Sequence, residues 1–567
     1  MKINLLNLFK FPNQNILYSK FLVGVMVEIT GEELAQKQKE ISISEFFEKN
    51  KHLLGFDNPT KALLIVVKEA VDNSLDACCE AGILPKIKVD VKNINEDVFR
   101  LVVEDNGPGI PKQAIGKAFG KFLYGSKFHR LLQQRGQQGI GITGSVLYSQ
   151  LTTSNPLKVW SKTSTEKTYF TKLMINVLKN EPDIIEEGYA AERDEIKEHG
   201  IRIQLDVVGR YRKTQSVDDY LAQTAIANPF AEIIYHAPDG RKIEYKRATD
   251  KLPKLPNEIK PHPYGVELGI FLRMLKNTKS KTILNFLTNE FSSVGSVTAK
   301  KVCKLTKIKF DSKPNEVDNS LAAKLLKNLQ GLDIQRPPVD CLSPIGEEEL
   351  KKGLKKQYPS AEFVATETRP PEVYRGNPFE VEIGIVYDQS LQKVESVELM
   401  RFANRAPLLF QQSACAIFKS VVNTDWKRYG LEHKKGSLPS GPCVILVHLC
   451  SVWVPFISEG KEAIASYPII IKEIKLGLQK CARKLSAYLA GKRREHQQQK
   501  RLQIFQMYAP EIEESLSKLT DKPKDKIKTA LDKLIGERAR VREEIKEGEA
   551  MEEDVKKEIS EDIKKSK

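Results

Sequence analysis

The sequence lacks the features that indicate a membrane-spanning helix or a zinc-binding site. No apolar run approaches the roughly 20 residues of a membrane helix, and the one at residues 21–27 is too short. The eight cysteines form no CxxC pair and no Cys/His cluster with zinc spacing. We therefore predict no membrane association, reduced and mostly buried thiols, and a cytoplasmic protein. Residues 1–31 are predicted to be an N-terminal extension, with Met26 as an alternative start.

The common nucleotide-binding signatures are also missing or misplaced. There is no Gly-x4-Gly-Lys-Ser/Thr sequence, which excludes a P-loop. Gly139, Gly141 and Gly144 match the dinucleotide fingerprint, but the mostly polar residues 127–138 before them cannot form a buried parallel strand. The same glycines match a kinase glycine loop, yet no other kinase motif accompanies them, so a phosphotransferase of that type is a remote alternative.

Positively charged residues are in excess over negatively charged ones. The chain of 567 residues has 90 Lys and Arg against 74 Asp and Glu, a formal charge of +16. Such a surface attracts polyanions, and nucleic acid is the first candidate. A solvated lysine-rich surface without a particular partner is the alternative. The length requires several domains.

A helix predicted over residues 60–81 has a polar face that its apolar surroundings do not explain. Its other positions are largely apolar, so the helix should be buried. Glu69, Asn73 and Asp76 nevertheless lie at i, i+4 and i+7, on one face. A cavity holding a metal ion and an attacking water would explain them, with Asn73 as a magnesium ligand and Glu69 polarising the water. A satisfied structural network is the alternative.

Two further segments indicate a ligand site, one through a carboxylate and the other through backbone amides. Asp105 closes an alternating strand and is followed by Gly107 and Gly109, so its carboxylate can be aimed at a ligand such as an adenine amino group. An ordinary turn is the alternative for this motif. Residues 135–144 place glycines before a predicted helix, where free backbone amides form an anion site.

The order Glu-x3-Asn, Asp-x-Gly-x-Gly, Gly-x-x-Gly-x-Gly resembles the GHKL ATPases. The fuller sequences EAVDNSLDA, VEDNGPGIP, AFGKFLYGSKFH, RGQQGIG, KPHPYGVE, NEFSSVGSVTA, DWKRYGLE and VHLCSVWVPF resemble the B-subunit family of archaeal DNA topoisomerase VI, between about residues 42 and 490. The resemblance implies an α+β multidomain fold. Its parts are a GHKL (Bergerat) ATPase sandwich at 32–250, a helix–two-turns–helix domain at 251–332, a transducer domain with a long C-terminal helix at 333–490, and a charged helical tail at 491–567.

The resemblance also implies a site for ATP and Mg²⁺. Glu69 matches the general base, Asn73 the magnesium ligand and Asp105 the adenine-reading acid. Lys427 matches the lysine that reaches the γ-phosphate from the second domain; without the resemblance it is a surface lysine beside a tryptophan. The other cofactor-binding residues that the resemblance implies are Gly107, Gly109, Ser126, Lys127, Gly136, Gln137, Gln138, Gly139, Ile140, Gly141, Ile142 and Thr143. Of these, Ser126, Lys127 and residues 136–143 match the segments that wrap the phosphates.

One position departs from the family pattern. Ile201 follows His199 and Gly200 where the family usually has threonine, so the hydroxyl contact of that threonine is absent or supplied by another residue such as Thr171. Thr143 is predicted to cap the helix that follows the glycine-rich segment.

The implied function is that of the ATPase subunit of a type IIB topoisomerase. DNA cleavage would belong to a separate A subunit in an A2B2 heterotetramer acting on double-stranded DNA in the nucleoid. Nucleotide binding would dimerise the ATPase domains, which would exchange N-terminal segments. The lysine-rich helical domain would contact DNA or, alternatively, only pack against the ATPase domain. A nucleotide-gated clamp or chaperone of the GHKL type, without topoisomerase activity, is the main alternative.

Overall fold

We describe a computed structural model of the chain over residues 41–533, except 126–129, 137–138, 165, 215, 392–395 and 459. The predicted N-terminal extension, and the end of the tail after residue 533, therefore lie outside the described residues.

The first part of the chain forms a layer of helices on one mixed sheet. The helices are α1 (Ile43–Lys49), α2 (Pro59–Glu80), α3 (Lys112–Gly120), α4 (Gly141–Thr153) and α5 (Val217–Ala227). The strands are β1 (Lys86–Asn95), β2 (Val98–Asp105), β3 (Leu157–Lys162), β4 (Tyr169–Asn176), β5 (Glu181–Tyr189), β6 (Gly200–Val208), β7 (Glu232–His236) and β8 (Lys242–Tyr245). Their order in the sheet is β5-β4-β3-β6-β2-β1-β7-β8, and β1 and β7 run parallel.

Helix α2 is fixed by local signals at both ends. The Asn58 side chain accepts a hydrogen bond from the Lys61 amide at 2.9 Å, and Pro59 occupies the first turn. The helix ends just before Gly82, which has a φ of +70° that favours glycine. Most of its apolar side chains are buried against the sheet, so the polar side chains on its remaining face are held in fixed positions.

The second part is a small helical domain. It contains α6 (Leu268–Asn277), α7 (Ile283–Glu290), α8 (Ser296–Thr306) and α9 (Asn319–Gln330). Three mutually contacting rings, those of Phe271, Phe286 and Phe291, are at the centre of its own core. The domain therefore has its own hydrophobic core, separate from the core of the preceding sheet.

The third part combines a second sheet with a long helix. Its helices are α10 (Glu347–Gln357), α11 (Ala416–Val422) and α12 (Pro468–Thr520). Its strands are β9 (Phe363–Thr368), β10 (Glu372–Tyr374), β11 (Asn377–Tyr387), β12 (Glu398–Ala403), β13 (Ala406–Pro407) and β14 (Cys443–Ser451). The order is β10-β11-β14-β12-β13, and β9 pairs with β11.

The predicted α+β multidomain fold is confirmed, with one difference at the boundary predicted between the transducer and the tail. Helix α12 begins at Pro468, after an isolated β-bridge between Phe456 and Ile464. The same helix continues past Gly491 to Thr520, across the boundary predicted for the tail. Strand β5 has an exposed, acidic sequence without apolar alternation, so its sequence pattern does not indicate a strand. No helix among the described residues is both long enough and apolar enough to cross a bilayer.

Candidate functional site

A cavity of about 500 Å³ lies between α2, the end of β2 and the start of α4. Its walls come from the N-terminal sheet domain, except at one side, where Gly460 and Lys461 of the third part of the chain close it. The predicted residues among its lining are Glu69, Asn73, Asp105, Gly109, Gly136, Gly139, Ile140, Gly141, Ile142 and Thr143. The three sequence segments that were predicted separately therefore meet at one place.

Glu69 and Asn73 project from the exposed face of α2 into this cavity. The Lys68 ammonium lies 3.3 Å from Glu69 Oε1 and 2.9 Å from Asp72 Oδ2. Burial alone would raise the pKa of Glu69, but the positive charges of Lys68 and Lys461 outweigh it and hold that pKa below its usual value. The carboxylate is therefore ionised at neutral pH, the form that can accept a proton.

Asp105 is a buried carboxylate with defined hydrogen bonds. Its Oδ1 accepts from the amides of Gly107, at 2.8 Å, and Ile201, at 3.2 Å, while its Oδ2 accepts from the Ser74 hydroxyl at 2.6 Å. Burial raises the pKa of Asp105 despite these bonds. Gly107 does not line the cavity; its amide donates a hydrogen bond that helps to orient Asp105.

Glycine is required at positions 141 and 109, because neighbouring atoms leave no room there for a β-carbon. A β-carbon at Gly141 would lie 1.8 Å from Glu69 Oε2, and one at Gly109, where φ is +73°, would lie 2.2 Å from the Lys162 carbonyl oxygen. Gly141 is also the first residue of α4, so the positive end of that helix faces the Glu69 side of the cavity. Thr143 is buried in α4 and makes no side-chain cap, so its predicted capping role is wrong.

Lys461 is a site residue that the sequence reasoning missed. Its ammonium donates to the Arg135 carbonyl oxygen at 3.2 Å, beside the glycine-rich segment. Burial lowers the pKa of Lys461, and the negative charge of Glu69 opposes that shift. The residue has a left-handed φ of 52°, which is unusual for a lysine. This side chain brings a positive charge from the third part of the chain into the cavity.

Lys427, which was predicted to bring a positive charge from the second domain to the nucleotide, lies outside the cavity. It is exposed on the short 3-10 turn Trp426–Tyr429 and does not line the cavity. The turn is anchored by Trp426, which is fully buried and donates from Nε1 to the Val421 carbonyl at 2.8 Å. Packing of the tryptophan therefore directs Lys427 to solvent, whereas Lys461 lines the cavity.

The remaining predicted contacts divide into two groups. Ser126, Lys127, Gln137 and Gln138 lie outside the described residues. Thr171, which was considered as a replacement for the missing threonine, pairs with Val159 inside the sheet and does not line the cavity. The hydroxyl that contacts the Asp105 carboxylate belongs to Ser74, one residue after Asn73.

The comparisons with known proteins agree with this geometry. The family "Histidine kinase-, DNA gyrase B-, and HSP90-like ATPase" matches residues 61–201, and "Topoisomerase VI B subunit, transducer" matches residues 337–501. A relative from Archaeoglobus fulgidus, the B subunit of type 2 DNA topoisomerase 6, is 49% identical over 82% of this chain and 76% of its own length. The protein of the same name from Sulfurisphaera tokodaii is 40% identical over 85% of this chain and 90% of its own.

The chain belongs to the family of topoisomerase VI B subunits. It is thus the ATP-binding and ATP-hydrolysing subunit of a type IIB DNA topoisomerase, with a GHKL ATPase domain and a transducer domain. Among solved structures, the B-subunit of the DNA gyrase from Myxococcus xanthus aligns over 78% of this chain and 95% of its own at 11% identity, with a TM-score of 0.38. That likeness is too low to add to the family assignment.

Proposed function

We propose that the cavity holds ATP with Mg²⁺ and that its occupation drives this chain between two states of a DNA gate. The observation that supports the proposal is that the side chains of Glu69, Asp105 and Lys461 all line one cavity of about 500 Å³. In this proposal Glu69 accepts a proton from the water that attacks the γ-phosphate. Its lowered pKa supports that role, because the base stays ionised at neutral pH.

The residues present fit a magnesium–phosphate group. Asn73 is exposed into the cavity and forms no hydrogen bond with other described residues, which leaves its amide oxygen for a ligand. Mg²⁺ typically takes one or two protein oxygens and completes its shell with water and phosphates. Bound there, the ion would supply positive charge at the phosphates. The amide oxygen of Asn73, which lies one helical turn after Glu69 on α2, would hold the ion.

We assign adenine recognition to Asp105 and phosphate contact to the glycine-rich segment. The buried Asp105 has Ser74 and two backbone amides to fix its orientation, so its carboxylate can accept a hydrogen bond from the adenine amino group. The amides before and at the start of α4 are freed for an anion by Gly136, Gly139 and Gly141. The proposal places Lys461 at the γ-phosphate, because it is the transducer's cation in the cavity lining.

The partners follow from family membership. The relatives are named as one subunit of a type 2 topoisomerase, so we propose that this chain assembles with an A subunit to form an A2B2 heterotetramer and acts on double-stranded DNA. ATP would bring the two ATPase domains together. Helix α12, of 53 residues, is long enough to span about 80 Å at 1.5 Å per residue and would carry movement toward the A subunit.

DNA contact is proposed for the helical domain 266–332. Lys300 and Lys301 are exposed on α8, and neither forms an ion pair with a described residue. Exposed, unpaired lysines on one helix can bind phosphates by displacing counterions.

The proposed function is tested with three variants and one assay of the assembled enzyme. Glu69→Ala should keep ATP binding and lose turnover, whereas Lys461→Ala should weaken ATP-dependent strand passage far more than Lys427→Ala, its matched surface control. Relaxation of supercoiled DNA is measured with the co-expressed A subunit, with and without ATP. Equal effects of the two lysine variants would remove Lys461 from the site. If no ATP-dependent relaxation is observed, only the nucleotide-gated clamp without topoisomerase activity remains.

A further inference from the structure

Lys461 and Glu462 are consecutive residues whose side chains both contact the ATPase domain. Lys461 reaches the cavity and the Arg135 carbonyl oxygen, while Glu462 forms an ion pair with Lys61 at the start of α2. The Lys61 and Glu462 side chains are only 12% and 8% exposed. The pair crosses the domain boundary, and its loss is costly because a buried Glu462 carboxylate without Lys61 would lose its cation partner.

Lys61 makes several further contacts at the start of α2. Its amide donates to the Asn58 cap, and its ammonium also lies 3.0 Å from Asp57 and 5.5 Å from the centre of the Phe410 ring. It is eight residues before Glu69 on the same helix, about 12 Å along the axis. Glu462 is therefore tied to the helix that carries the proposed base and magnesium ligand.

The backbone of the Lys461 loop needs such support. Lys461 has a left-handed φ of 52°, and a residue other than glycine keeps this conformation only when its surroundings fix it. After the pair, the Ile464 carbonyl accepts from the Ala416 amide at 2.8 Å, and before it Gly460 lines the cavity. Thus one end of the loop is fixed by the transducer, and the ion pair is its side-chain link to α2.

We propose that the Lys61–Glu462 ion pair positions Lys461 in the nucleotide cavity and so connects the start of α2 to the transducer. Neither residue touches the nucleotide site itself in this proposal; both act through Lys461. The consequence for nucleotides rests on the proposed function, in which Lys461 meets the γ-phosphate. The positioning of Lys461 can be measured without that assumption.

The first measurement is the rate at which an acetylating N-hydroxysuccinimide ester labels the Lys461 amine in the nucleotide-free full chain, followed by mass spectrometry. Glu462→Gln and Lys61→Met should each raise this rate several-fold, and the double variant should not exceed the larger single effect. Glu473→Gln is the matched control, because Glu473 is only 5% exposed and pairs with Arg369 within the transducer. Unchanged labelling in the two pair variants, or equal acceleration in the control, would overturn the proposal.

The second measurement compares a non-hydrolysable ATP analogue with ADP, which lacks the γ-phosphate. Both pair variants should weaken binding of the analogue by about tenfold or more, as expected when one partner of a buried pair is lost, and leave ADP binding unchanged. In a Lys461→Ala background, Glu462→Gln should add nothing. Additional weakening there would show that the pair acts independently of Lys461. Faster labelling with unchanged analogue binding would keep the positioning role and refute the γ-phosphate role of Lys461.

Discussion

Gly141→Ala is the substitution with the most direct structural consequence for the proposed base. The new β-carbon would lie 1.8 Å from Glu69 Oε2 and 2.5 Å from its carboxyl carbon. Non-bonded heavy atoms settle near 3.5 Å, so the carboxylate must move by about 1.7 Å. Gly141 begins α4 and is held by the helix backbone, which makes the Glu69 side chain the part that shifts.

A displacement of this size should remove most of the general-base contribution. Misplacing a reacting group by about 1 Å typically costs 10²-fold in rate, or about 2.7 kcal/mol of transition-state stabilisation. We expect kcat for ATP hydrolysis to fall by about 10²-fold or more, within the 10²–10⁴-fold range of general-base catalysis. Alanine is a better helix former than glycine, so thermal stability should not fall through helix propensity.

The assay is steady-state ATP hydrolysis, with ADP binding and thermal unfolding measured on the same samples. Gly269→Ala is the matched control, because Gly269 is also near a helix start and its added β-carbon meets nothing within 4 Å. Glu69→Asp shortens the side chain, so adding Gly141→Ala to it should cost much less than in the wild type. A kcat within threefold of wild type (by a ~0.65 kcal/mol criterion) for Gly141→Ala would refute the geometric reasoning.

Three further outcomes test other parts of the site. Ser74→Ala should raise KM for ATP by roughly 2–12-fold, the range of a hydrogen bond worth about 0.5–1.5 kcal/mol, with little change in kcat; an unchanged KM would show that Asp105 needs no hydroxyl. Burial lowers the pKa of Lys461, so its charge is lost at a lower pH than usual as pH rises. Lys461→Arg should therefore move the alkaline limb of ATPase activity to higher pH, and an unmoved limb would assign it to another group. Neutralising Lys300 and Lys301 should make the slope of log K for DNA binding against log salt concentration shallower by about 0.9 for each phosphate that they contact. An unaltered slope would exclude both lysines as phosphate contacts.

The ATP site could be predicted from the sequence where its chemistry is local. Glu69 and Asn73 share one face of α2 because they are four residues apart, and Asp105 ends a strand whose alternation is regular. Each of these residues lies in the predicted cavity. The helix and the strand fix where each side chain points, so little tertiary information is needed.

Lys461 could not be found in that way. It lies in a loop whose position depends on packing between two domains, and no periodicity marks it. The signals available were weak: a glycine at 460 before the lysine, and the buried Ala463 and Ile464 after it. Lys427 was predicted from the family resemblance alone, since its own context is that of a surface lysine beside Trp426, a tryptophan buried in the transducer core.

The position of Lys461 gives a physical reason why nucleotide and DNA gate can be coupled. Its loop is hydrogen-bonded through Ile464 to the start of α11, and α11 packs against α12 in the transducer core. Close-packed cores transmit displacement because they cannot deform continuously. In the proposed role of Lys461, a bound nucleotide would attract this lysine and pull on a loop joined to α11, and α11 would move with α12. Because α12 continues as one helix from Pro468 to Thr520, a small rotation at its packed first half becomes a larger displacement at its exposed end.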